Sequence, residues 1–192
     1  MYTTNTKGKQ NWTNTKPPGQ VDKLPNLLTM GLKQYIEIEV VHKTENVEKQ
    51  YVITERSDAT LASFRKVNFI QKFFKDKYKV PNNEHVDITK EDLQELADLC
   101  ERVISKFEEW DGTKEALDSD DCVEPPKHIQ EYAAELLPTC EGFFFGSIAY
   151  DNRYFNNVKD VLKTVREIIQ EVEDTYEVED ADKYQLLYRA WW

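Results

Sequence analysis

The sequence predicts an α+β fold in which a small antiparallel sheet packs against about four helices. Segments rich in β-branched and aromatic residues lie near the start of the sequence and at its end. Between them, apolar residues recur every three or four positions, which is the spacing of amphipathic helices. Two strands, several helices and one final strand are the order expected when helices cover one face of an antiparallel sheet.

The sheet is expected to contain three strands. Residues 32–42 and 49–55 carry β-branched and aromatic residues in partial alternation with charged ones, which predicts a β-hairpin. The terminal "KYQLLYRAWW" is rich in strand-forming residues and too short for a further helix. We therefore expect residues 183–192 to form a last strand that joins the hairpin.

The first helix is predicted to begin at Ser57 or Asp58 and to extend for about five turns. In such a helix Arg65, Asn68 and Lys72 share one face and form a strip of hydrogen-bond donors. This strip is expected to be solvated, or to offer donors to a phosphate or carboxylate. The predicted apolar positions are Leu61, Phe64, Val67, Ile70 and Phe74.

Three further helices follow. Thr89 and Asp92 form a variant of the capping box, and Cys100 lies on the apolar stripe of the helix that they begin. Residues 108–128 are acidic and contain Gly and two Pro, so we expect a surface loop there. A short helix over residues 127–138 and a long helix that begins at Asp151 or Asn152 complete the set.

The chain of 192 residues is long enough for one domain with a substantial core. We expect residues 29–192 to form this single α+β domain. Residues 1–28 are rich in Thr, Asn, Lys, Pro and Gly, which predicts a flexible N-terminal extension. An interaction arm is the alternative for this extension.

The composition limits the classes of function. A net charge of −11 argues against direct nucleic-acid binding, because that activity neutralises phosphates with Lys and Arg. The acidic residues form either a solvated surface or a surface that meets a basic partner. No apolar run approaches about 18 residues and no secretory signal is visible, so we expect no membrane association. The Cys and His residues lack zinc-site spacing, and we expect no metal and no cofactor.

The stretch "EGFFFGSIAY" at residues 141–150 fits neither an amphipathic helix nor a half-exposed strand. Gly142 and Gly146 allow backbone conformations that other residues avoid. One interpretation makes the Phe residues a buried core element. The other makes this segment one edge of a binding site, in which aromatic rings stack on a nucleobase.

Four segments together resemble a family of small uncharacterised proteins found mostly in tailed bacteriophages and prophages. They are "MGLKQYIEIEV" from Met30, "SFRKVNFIQKFF" from Ser63, "AAELLPTCEGFFFGSIAYDNRYF" from Ala133, and the final "YRAWW". Gln71 here replaces the His of the family pattern, and Ile148 and Ala149 replace its Thr-Asp pair. The resemblance covers residues 30–192 and implies a phage protein in the cytoplasm of the infected bacterial host, without implying a reaction.

Two hypotheses of function follow. No GxSxG, HExxH, Walker A or GxGxxG pattern occurs, so no catalytic residue is predicted. In the first hypothesis, a phage accessory protein, with an anti-defence role, sequesters a small anionic ligand such as a nucleotide signal. In the second, acidic helices at residues 91–124 and 167–182 mimic nucleic acid and inhibit a basic host or defence protein. Both hypotheses allow the protein to form a homo-oligomer. The predicted ligand-binding residues are Arg65, Lys66, Asn68, Phe143, Phe145, Ser147, Tyr150, Asp151, Tyr154 and Arg189.

Overall fold

The computed structural model describes residues 31–46, 51–175 and 183–192, without the side chains of residues 41–46, 51–56 and 183. Residues Gly31–Trp192 form one compact unit. The flexible extension predicted for residues 1–28 lies outside the described residues. So do the last residues of the predicted acidic surface at 167–182.

A four-stranded antiparallel sheet forms one layer of the fold, which confirms the predicted α+β class. Its strands are β1 (Lys33–Asn46), β2 (Tyr51–Arg65), β3 (His85–Ile88) and β4 (Lys183–Trp191), in the order β2-β1-β4-β3. The predicted hairpin pairs β1 with β2, and the predicted last strand joins it at β1. β1 is therefore a central strand, with backbone partners on both sides.

Five helices lie among the described residues: α1 (Asn68–Lys77), α2 (Lys90–Glu108), α3 (Thr113–Leu117), α4 (Lys127–Leu136) and α5 (Asn152–Thr175). Their apolar side chains form one core with the inner face of the sheet. Phe74 of α1 stacks on Tyr188 of β4 at 4.2 Å between ring centroids, and Phe107 of α2 stacks on Phe155 of α5 at 3.9 Å. We call the opposite face of the sheet, where Tyr35 lies, the outer face.

The predicted long first helix is wrong in its N-terminal half. Residues 57–65 continue β2, and α1 begins only at Asn68. The reason is tertiary, because the central strand β1 needs backbone partners along residues 33–40, and residues 57–65 supply them. Arg65 therefore lies on a strand whereas Asn68 and Lys72 lie on α1, so the three residues do not share a helix face.

Other predictions are confirmed. Thr89 caps α2 with both hydrogen bonds of the capping box to Asp92, and Cys100 is fully buried. α4 begins directly after Pro126 and α5 directly after Asp151, as their patterns indicate. The short elements β3 and α3 were not predicted, because four or five residues are too few to show a period.

Candidate functional site

Four residues with positive φ angles meet beside the "GFFFGS" segment. They are Gly31 (145°), Lys66 (59°), Phe144 (64°) and Gly146 (100°), and Asn83 is the only other such residue in the described part of the chain. A Cβ added to Gly146 would lie 3.1 Å from both Cβ and the carbonyl oxygen of Lys66. Non-glycine residues in this region are strained, and such strain concentrates at functional sites.

Backbone hydrogen bonds hold these residues together. The N–H of Lys66 donates to the carbonyl of Leu32 at 2.8 Å, and the N–H of Leu32 donates to the carbonyl of Phe144 at 3.3 Å. The amide of Asn68 donates to the carbonyl of Ser147 at 2.8 Å. The loop that contains residues 143–147 is therefore fixed to the junction between β2 and α1.

A pocket of about 300 Å³ lies at this junction, and we call it the polar pocket. It lies at the N-termini of two helices, because Asn68 is the first residue of α1 and Asp151 immediately precedes α5. Its walls come from two separate stretches of the chain, residues 65–69 and 146–157. The lining residues are Arg65, Lys66, Val67, Asn68, Phe69, Gly146, Ser147, Ala149, Asp151, Arg153, Tyr154 and Asn157.

Asp151 forms a buried part of the pocket wall. One carboxylate oxygen accepts a hydrogen bond from the backbone N–H of Tyr154 at 3.0 Å, which is the N-cap interaction predicted for this residue. The other oxygen accepts from the thiol of Cys122 at 3.1 Å, and this bond raises the pKa of that thiol. Both carboxylate oxygens are thus engaged within the protein.

The charge of the polar pocket is opposite to that of the whole protein. Arg65, Lys66 and Arg153 contribute three cationic side chains, against the single carboxylate of Asp151. α1 has no acidic residue in its first turn and no side-chain cap, so its N-terminal dipole is not compensated locally. Cationic side chains and the N-terminus of α1 together favour an anion. The pocket is therefore suited to a phosphate or a carboxylate.

Six of the ten predicted ligand-binding residues line this pocket: Arg65, Lys66, Asn68, Ser147, Asp151 and Tyr154. Phe145 does not line it, because its ring is buried in edge-to-face contact with Trp192 at 5.9 Å. Tyr150 lies behind the pocket, where its ring contacts Tyr154 at 4.9 Å and its hydroxyl accepts from the N–H of Thr139. The structure therefore brings six of the predicted residues together and gives these two rings packing positions.

Arg189 also lies elsewhere, on the outer face of the sheet. Its guanidinium donates to the Glu37 carboxylate at 2.9 and 3.3 Å and lies 4.5 Å from the centre of the Tyr35 ring. His85 Nε2 is 2.7 Å from the same carboxylate. Burial alone raises the pKa of Glu37, but hydrogen bonds from Arg189 and His85 outweigh it and lower this pKa. The predicted grouping of Arg189 with the "GFFFGS" segment is therefore not found.

Two functional candidates were missed in the sequence. Arg153 and Asn157 both line the polar pocket, and they are four residues apart in the first two turns of α5. Residues at this spacing lie on the same face of a helix. The signal was present in "DNRYFNN", because the predicted cap at Asp151 fixes where each of these side chains points.

The three Phe residues of the segment have different environments. Phe145 is buried, whereas Phe143 is 80% exposed and Phe144 is 38% exposed. The rings of Phe143 and Phe144 lie 4.1 Å apart. One ring is therefore covered, and two rings are exposed on the segment that continues into the polar pocket, although neither of these two lines it.

Comparisons with protein-family models, curated proteins and solved structures found no match for this chain. Among the described residues, no helix is long and apolar enough to cross a membrane. The same residues contain no group of three or more His, Cys, Asp or Glu side chains arranged to hold a metal ion. The case for a function therefore rests on the chemistry of the polar pocket.

Proposed function

We propose that the protein binds and sequesters a small anionic ligand of the nucleotide class in the polar pocket, without catalysis. The observation that carries this proposal is that Arg65, Lys66 and Arg153 line one cavity together with Gly146 and Ser147. These residues come from distant parts of an acidic chain. Their convergence is what an anion-binding site requires.

The size and surroundings of the pocket fit a nucleotide. Its volume of about 300 Å³ lies at the small end of the range for ligand sites. Charged donors suit a phosphate group, whereas the exposed Phe143 and Phe144 offer ring faces to a base. A phosphate in the pocket and a base on these rings would use both chemical characters of the site.

The hydroxyl and carboxylate groups in the pocket have structural roles, which favours binding over catalysis. The Tyr154 hydroxyl donates to the carbonyl of Leu137 at 2.7 Å, and burial raises its pKa well above 10. Asp151 is occupied as the cap of α5. The Ser147 hydroxyl oxygen accepts from the N–H of Ala149 at 3.1 Å. A sequestering protein needs affinity alone, and this arrangement can supply it.

The biological setting is a separate part of the proposal. The sequence resemblance supports a phage accessory protein that acts in the infected bacterial cell. A nucleotide-sequestering protein in that setting would serve an anti-defence role, by lowering the concentration of a nucleotide signal. The residue chemistry supports the ligand class, and the resemblance supports the setting.

The alternative proposal, an acidic mimic of nucleic acid, has weaker support. The acidic side chains of α2 and α5 are interspersed with cations and paired with them, as in Arg166–Glu101 at 2.8 Å and Lys106–Glu109 at 2.5 Å. A mimic of nucleic acid needs a continuous negative surface. Mixed charges of this kind are typical of an ordinary solvated helix surface.

Titration calorimetry with 5′-AMP tests the proposed function. We expect saturable binding that weakens by about tenfold or more in Arg153→Ala, which loses one of three cations. Lys163→Ala is the matched control, because this cation also lies on α5 and is 77% exposed. If 5′-AMP does not bind, or if both variants bind it equally well, the polar pocket is not a nucleotide site. Salt-sensitive binding to a basic host protein would then favour the mimic.

A further inference from the structure

A second cationic depression lies on the outer face of the sheet, at the edge it shares with the polar pocket. It has a volume of about 250 Å³ and is lined by Lys33, Tyr35, Ser63, Phe64 and Arg65. None of these five residues is acidic. We call this depression the sheet-edge site.

Two cations of the sheet-edge site are adjacent across the strands. Lys33 on β1 is paired directly with Arg65 on β2. Like charges at directly opposed positions of an antiparallel pair repel each other. An anion placed between the two side chains would interact with both cations. Lys33 is further positioned by the Trp191 ring, whose centre lies 5.4 Å from its ammonium nitrogen.

Arg65 connects the two sites, because it lines both the sheet-edge site and the polar pocket. Lys66, the next residue, lines only the polar pocket. If both anions contact the Arg65 guanidinium from different sides, each through a charge-assisted hydrogen bond of about 2.8 Å, they would be about 5–10 Å apart. Directly linked phosphates share one oxygen and are too close to occupy both. Phosphates separated by a nucleoside can do so.

The outer face also limits how far an anionic ligand can extend. Beyond Tyr35 along β1, the next depression is lined by His85 and by three acidic residues, Glu37, Glu39 and Asp58. Glu37 is paired with Arg189 and His85, so the negative charge there comes mainly from Glu39 and Asp58. Negative charge on that side disfavours a third phosphate. The cationic surface therefore fits two anionic groups, one on each side of Arg65.

We propose that the ligand is a dinucleotide, with one phosphate in the polar pocket and the second between Lys33 and Arg65 in the sheet-edge site. This inference rests on the proposed function and makes its ligand more specific. The two phosphates are separated by one nucleoside, and both interact with Arg65. The ligand thus bridges the end of β2.

Calorimetry on the full chain with two probes, 5′-AMP and the 5′-phosphorylated dinucleotide pApA, tests this inference. We expect pApA to bind at least about tenfold more tightly than 5′-AMP, because it makes a second set of charged contacts. Lys33→Ala should weaken the binding of pApA by about tenfold and leave the binding of 5′-AMP unchanged. Arg153→Ala should weaken the binding of both probes, and Lys163→Ala should change the binding of neither. Lys33→Gln, which keeps the long side chain, serves as a second variant if Lys33→Ala is unstable.

The outcomes separate the two proposals. If the two probes bind with equal affinity, or if the affinity for pApA does not depend on Lys33, the proposal of a dinucleotide ligand fails. The proposal of a nucleotide site in the polar pocket still stands in that case, provided that 5′-AMP binds. If neither probe binds, both proposals fail. Binding of pApA that depends on Lys33 but not on Arg153 would support the sheet-edge site and reject the two-site ligand.

Discussion

Substitutions at Lys66 test whether a residue that lowers the stability of the fold is kept because it contributes to ligand binding. This residue has a φ of 59° and its side chain lines the polar pocket. Replacing it by Gly removes the backbone strain and also removes the cation. We therefore expect Lys66→Gly to be more stable than Lys66→Ala while both lose ligand affinity.

The magnitude follows from the backbone. An L-residue in the left-handed region costs about 1–2 kcal/mol, and Gly avoids this cost. Gly also gives the unfolded chain more conformational freedom, which offsets about 0.4–1 kcal/mol of that gain. The net advantage of Gly over Ala at position 66 is about 1 kcal/mol. For a chain of this size that difference raises Tm by about 2–4 °C.

The assay is thermal unfolding of both variants followed by circular dichroism, with calorimetry for 5′-AMP. Ala is the matched reference because both variants lose the Lys66 side chain beyond Cβ, and they differ only in the Cβ that makes the left-handed backbone unfavourable. A Tm for Lys66→Gly equal to or below that of Lys66→Ala would refute the strain argument. Unchanged affinity in both variants would refute the role of Lys66 in the pocket.

Three further outcomes follow from the structure. Phe145→Ala should cost about 3–5 kcal/mol in urea unfolding and Phe143→Ala less than about 0.5, because only the first ring is buried; equal costs would contradict this. Asp92→Ala should lose about 1–2 kcal/mol at pH 7, because it removes the carboxylate that accepts hydrogen bonds from the N–H of Thr89 and from Lys77 and Tyr78. Burial raises the pKa of this carboxyl, but hydrogen bonds from Lys and Tyr side chains outweigh it and lower the pKa. Its ionisation-dependent contribution is thus present above the unfolded pKa of about 3.9 and lost as pH falls through the lower folded value; a deficit that does not decrease as the pH is lowered below about 3.9 would contradict it. Ellman's reagent at pH 7.5 should modify the exposed Cys122 and spare Cys100, whose pKa burial raises to about 12; labelling of native Cys100 would contradict its burial.

Local signals in the sequence predicted much of the fold. The cap of α2 at Thr89 and the start of α5 after Asp151 were predictable, because the groups that make a cap are three residues apart. The hairpin and the final strand were predictable from composition and alternation. The start of α1 was not, because residues 57–65 have both helical spacing and strand-forming residues, and pairing with β1 decides between them.

Some features of the candidate site were likewise predictable from the sequence, and others were not. The sequence by itself determined that "GFFFGS" is an unusual segment, that α5 begins at Asp151 or Asn152, and that the chain carries a net charge of −11. Only the tertiary structure decided that Phe145 is buried while Phe143 is exposed, and that Arg189 pairs with Glu37 on the outer face. It also placed Arg153 beside Lys66. The physical reason is distance along the chain, since capping and periodicity act within a few residues, whereas the polar pocket forms where the end of β2 meets the start of α5.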